Sequence, residues 1–172
     1  LVFDFFDIFV TEIFYYKSFV VFTVLSQHKN SVIFLVVEFF ELLTKAFDAN
    51  YGWGMHHVMH NVAQGKDSVY SIVKQVLKAD SVTPKNTFQM NFITNHDENS
   101  WNGTAKEKFG AGENAFAILT YTLPGMPLIY SGQEAGLDHR LKFFVKDTIN
   151  WNGSDFSPFY KKLDELKHNN DA

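Results

Sequence analysis

The chain has no cysteine among its 172 residues and a single arginine, Arg140. The first absence excludes a disulfide framework, a thiolate metal centre and a cysteine nucleophile, and it leaves the redox compartment open. Cationic excess is missing too. Lys and Arg number 15 against 19 Asp and Glu, for a net charge of −4 and a pI near 5.9. That balance carries no electrostatic footprint for nucleic acid. No uncharged run reaches the ~18 apolar residues that a membrane span needs, so no membrane partner is expected. No basic N-region with a small-residue cleavage site marks a signal peptide. A Walker loop, Gly-x-Gly-x-x-Gly and Gly-x-Ser-x-Gly are all absent, which argues against nucleotide binding and serine esterase chemistry.

Aromatic residues, by contrast, make up 17% of the chain, and 10 of the 19 Phe fall in the first 40 residues. This Phe-rich stretch keeps no clean period of 2 or 3.6, and Asp4, Asp7, Glu12 and Lys17 interrupt it. It reads either as a buried, β-prone part of a larger fold or as sequence foreign to the fold, such as a frame-shifted segment. Residues 1–30 are therefore set apart from 31–172.

Beyond residue 30 strands and helices alternate. Residues 31–38, SVIFLVVE, form a short apolar run that suits a parallel strand buried on both faces. A compact strand-like piece follows near 46–51. Residues 67–80 place Val69, Ile72, Val73, Val76 and Leu77 at helical spacing. Residues 87–97 read as a strand, 112–123 as a helix stopped by Pro124-Gly125, and 126–134 as another strand. Ser157 and Pro158 open a closing helix. Such alternation predicts βα units around a parallel sheet, with chemistry at the carboxyl ends of its strands.

Three strand ends carry polar groups. Glu38 ends the first; burial there would raise its pKa and suit it to general acid work, although a solvated junction carboxylate is the commoner case. Asn95-His96-Asp97 ends the next, as an active-site edge or as a plain turn. Ser131-Gly132-Gln133-Glu134 ends the last, where a loop-tying turn is the stronger reading. His56 and His60 stand four apart, a spacing that can ligate zinc on a helix, but no third ligand is evident and no metal site is expected.

The segments FITNHDENSWNG and AILTYTLPGMPLIYSGQEAGL resemble strand seven, helix seven and strand eight of the α-amylase family of glycoside hydrolases (family 13). KAFDANYGW is similar to strand six of bacterial members, and RLKFFVKDTINW with FYKKLDELKHNN is similar to the last loop and barrel helix. The resemblance implies an α/β fold, a partial (β/α)8 TIM barrel of about strands 5 to 8, over residues 31–172. It implies retaining cleavage of α-glucosidic bonds in a starch-type α-glucan oligo- or polysaccharide. Asp97 then matches the transition-state stabiliser, His96 and Asn95 match substrate-binding positions, and Glu38 is the candidate acid/base. The family nucleophile lies in an Arg-x-Asp motif on strand four. With Arg140 the single arginine, no such motif precedes Glu38, so the chain is expected to be inactive alone. No cofactor is expected; calcium occurs in full-length members but has no placed ligands here. Family analogy alone points to secretion or the periplasm. The rival expectation is a non-catalytic carbohydrate-binding or interaction module on the same fold.

Overall fold

The computed structural model describes residues 8–16, 19–26, 32–36, 43 and 47–170. Glu38 lies outside the described residues. Two compact units divide the chain at residues 47 and 48.

Among the described residues, the first unit holds three strands, β1 (Ile8–Tyr16), β2 (Phe19–Ser26) and β3 (Val32–Val36), in the order β1-β2-β3. Both pairings are antiparallel, with Tyr16 opposite Phe19 and Leu25 opposite Val32. Within the run at 31–38, residues Val32–Val36 form a strand, as the composition predicts, but it is not parallel. A continuous β-branched run satisfies either ladder, and short connections to β2 select the antiparallel one.

The second unit is a parallel three-stranded sheet, β4 (Ala49–Tyr51), β5 (Phe88–Asn91) and β6 (Met126–Pro127), in the order β4-β5-β6. Helices join the strands: α1 (Trp53–Ala63) and α2 (Tyr70–Val82) between β4 and β5, then α3 (Ala105–Phe109) and α4 (Glu113–Thr122) between β5 and β6. The last helix, α5 (Ser157–His168), follows a long loop from β6. Parallel strands linked through helices are βα units, and the α/β expectation holds at that level.

The core of this unit joins Met55 and Met59 of α1, Ile93, Phe109 of α3, Ala117 and Tyr121 of α4, and Tyr160 and Leu163 of α5. Helix α1 is not evident in the sequence. Its fully buried residues are Met55, His56 and Met59, so a polar histidine interrupts the apolar stripe. Helix α2 is found where its spacing predicts, yet only Ile72 and Val76 pack against the core; Val69, Val73 and Leu77 are exposed. Among the described residues, no helix is long and apolar enough to cross a membrane.

Candidate active site

Strand β5 ends at Asn91, and the chain then runs buried through Phe92, Ile93, Thr94 and Asn95. It emerges at His96 and Asp97, whose side chains are each about half exposed. The two lie together, with His96 Nε2 3.6 Å from Asp97 Oδ2. Asn95 faces inward instead: its side-chain oxygen accepts the backbone N–H of Glu98 at 2.8 Å. This bond bends the chain directly after the pair, so His96 and Asp97 stand on the outside of a turn at the carboxyl end of a parallel strand.

The turn runs into a π-helix at Glu98–Asn102, closed by the Gly103 N–H on the Glu98 carbonyl at 2.9 Å. Such wide turns are rare and concentrate at functional sites. Gly103 can close it because φ there is 125°, in the region that favours glycine.

Beneath the turn lies a buried polar cluster. The Glu98 carboxylate pairs with Lys108 Nζ of α3, lies 3.1 Å from His56 Nε2 of α1, and accepts Asn102 Nδ2 at 3.0 Å. His56 donates through Nδ1 to the Phe92 carbonyl at 3.1 Å, which leaves Nε2 as an acceptor facing Lys108 Nζ at 3.3 Å. The ammonium is therefore the donor that reconciles two acceptors, and Glu98, His56 and Lys108 are all buried. The His56 ring also stacks on Phe92, centroids 4.7 Å apart.

Burial pushes the His56 pKa down to about 4; the Phe92 carbonyl opposes this, and the Lys108 charge adds to it. Burial also lowers Lys108, to about 8, with Arg140 adding to the effect. His56 is accordingly neutral near pH 7. Below its ordinary value of 6.5 the unfolded chain binds a proton that the folded chain refuses until about pH 4. Stability therefore falls as pH falls through that window, by roughly 3 kcal/mol for this group. Urea unfolding at pH 6.5 and pH 4.5 is expected to show a steeper loss for the native chain than for His56→Gln, which cannot titrate.

Further side chains fasten the loop after β6 to this turn. Asn99, fully buried, accepts the Leu141 N–H at 2.7 Å and donates to the His139 carbonyl at 3.3 Å. Glu107 takes part in a capping box with Thr104 and accepts two bonds from one edge of the Arg140 guanidinium, from Nε at 3.0 Å and from Nη2 at 3.1 Å. In the SGQE segment Gln133 is buried and donates to the Tyr160 hydroxyl at 2.6 Å, while Glu134 accepts the Gly132 N–H at 2.9 Å. These are the loop-tying bonds the sequence favours there.

His56 and His60 do share helix α1, but His56 is committed to Phe92 and Glu98, and His60 meets Gln64 Nε2 at 2.6 Å. Among the described residues no group of three His, Cys, Asp or Glu is placed to hold a metal ion. The sequence reading missed the His56–Glu98–Lys108 cluster and the Asn99 clamp. Their members lie 42 and 52 residues apart, or bond to backbone, and no spacing rule reaches that far.

A family model described as the alpha amylase catalytic domain matches residues 8–171. The chain belongs to the alpha-amylase family. The match takes in most of the Phe-rich segment as well as the parallel sheet. Among solved structures, this alpha-amylase-family chain is similar to an alpha-amylase from Lactobacillus plantarum at 27% identity and a TM-score of 0.64, covering 78% of this chain and 32% of that one. It is similar in fold to a noncanonic maltogenic alpha-amylase, AmyB, from Thermotoga neapolitana, at 22% identity and a TM-score of 0.64, covering 75% of this chain and 30% of that one. The chain thus spans about a third of the length of the structures it matches. No curated protein sequence matches it.

Proposed function

We propose that the chain is part of a retaining glycoside hydrolase that acts on α-glucans, contributing the sugar-gripping side of the active site. The observation that carries this reading is the family match over residues 8–171 together with the exposed His96-Asp97 pair beyond the carboxyl end of a parallel strand. Asp97 accepts hydrogen bonds from sugar hydroxyls and holds them more strongly as charge develops at the anomeric carbon. His96, beside it, donates to the same ring. Asn95, which matches a substrate-binding position of the family, supports both by fixing the turn. Glu38 is the candidate acid/base by family position.

A retaining reaction needs a carboxylate nucleophile as well as an acid/base group. With the single arginine at residue 140, no Arg-x-Asp motif precedes Glu38 to supply it. The expected outcome is that the purified chain releases no reducing sugar from soluble starch above an Asp97→Ala control. Release that the native chain supports and the control lacks would overturn the inactivity. Binding of maltoheptaose, lost in the control, is the expected residual property.

A further inference from the structure

Three exposed aromatic rings gather beside His96. Trp101, on the π-helix, lies 5.4 Å from Phe143 and 6.1 Å from Phe144, and these two lie 4.8 Å from each other. Phe143 in turn lies 5.8 Å from the His96 ring at a tilt of 36°. The three are 57%, 40% and 77% exposed respectively. Together they carry a large apolar area that contacts water, continuous with the polar pair at the strand end.

The group is held in place rather than draped. Asn99 fixes the backbone at 139 and 141 from below, two residues before Phe143. Asp147 closes the other side by accepting the N–H groups of Lys142 at 3.0 Å and Thr148 at 2.8 Å. Arg140 is anchored on Glu107. Rigid aromatic anchors bind at low entropic cost because little ordering remains to be done.

We propose that Trp101, Phe143 and Phe144 form a stacking platform for a glucosyl unit next to the one gripped by His96 and Asp97. This rests on the α-glucan reading above and names the residues that extend its site. A pyranose ring has two faces of polarised C–H groups and a rim of hydroxyls. The faces match the negative face of an aromatic ring. The rim matches a carboxylate and an imidazole. An α-linked glucan chain presents both in succession, so one unit can lie on the exposed Phe144 ring, which Phe143 buttresses edge-on at 72°, while its neighbour reaches Asp97. Asn99 is a positioning residue for the platform: it touches no sugar, but it sets where the Phe143 loop lies against the π-helix.

The test is a titration of the full chain with maltoheptaose, followed by the indole N–H signals of its three tryptophans in a proton–nitrogen correlation spectrum. The expected result is a saturable shift at Trp101, with Trp53 and Trp151 unmoved. Phe144→Ala removes a highly exposed ring and leaves the fold intact; it is expected to weaken binding about tenfold. Asn99→Ala is expected to weaken binding while leaving the Asp97 contribution intact, so that adding Asp97→Ala still lowers it further. Maltoheptaose binding that Phe144→Ala and Phe143→Ala leave unchanged overturns the platform alone. Absence of any binding by the native chain overturns the platform and the α-glucan reading together. Self-association of the native chain that Phe144→Ala abolishes, with sugar binding unaltered, also overturns the platform and assigns the rings to a contact between copies.

Discussion

Lys108→Met is expected to destabilise the unit of residues 48–172 by about 3–5 kcal/mol, the scale for removing one partner of a buried ion pair. The ammonium is the donor between the Glu98 carboxylate and the His56 Nε2 lone pair. Methionine keeps much of the volume and removes that donor. Two acceptors then face each other at 3.1 Å in a place from which water is largely excluded. Glu98 would have to take up a proton, or the turn that carries His96 and Asp97 would have to open. Urea denaturation followed through Trp53, whose ring lies against both His56 and Phe92, reports the change. A companion Glu98→Gln is informative. In the double variant the carboxylate is gone, and the combined loss is expected to be smaller than the sum of the singles, since neighbours in one network do not add. A loss below about 1 kcal/mol for Lys108→Met would mean that the pair behaves as a solvated surface bridge.

Gly125→Ala is the second large expected effect. Gly125 sits between α4 and β6 with φ 118°, and a Cβ there would stand 2.4 Å from the Gln89 carbonyl oxygen and 3.0 Å from Asn91 Nδ2. Both obstacles belong to β5. The first is backbone, and the second is held by donation to the Pro124 carbonyl at 2.9 Å. Neither can step aside cheaply, so the methyl group must part β6 from β5. Strain and lost pairing together are expected to cost about 3 kcal/mol or more. Gly65→Ala is the matched control. Its φ is 68°, but nothing lies within 4 Å of the added carbon. Only backbone strain acts there, about 1–2 kcal/mol. Equal thermal shifts for the two variants would show that crowding against β5 plays no part.

The elements that could be read from sequence are those whose signal is local. Helix α2 shows in its apolar spacing, α4 in its stop at Pro124-Gly125, and α5 in the Ser157-Pro158 start, although the hydroxyl of Ser157 does not cap that helix: Ser157 lies within it and its backbone N–H donates to Asp155 at 2.9 Å. Helix α1 gave no such signal, because His56 is buried there as a polar partner and breaks the apolar stripe. The direction of β3 was not readable either, since a run of β-branched residues does not say which neighbour it will find. Asn95-His96-Asp97 could be read because the three are contiguous. What supports them is spread over α1 and α3, and it exists only once the chain has folded. Trp101, Phe143 and Phe144 escaped for the same reason: a lone Trp and a Phe pair some 40 residues apart carry no shared period.

The pairing within the parallel sheet has a geometric consequence. Strand β5 meets β4 along Phe88–Met90 but meets β6 along Met90–Asn91. Contact thus moves up the strand in passing from one neighbour to the next, which is the shear that makes strands slant in a closing barrel. The strand ends consequently form a slope, not a level ledge. The connection leaving β6 starts higher than the end of β4, and it leans back over β5 to where Asn99 receives it.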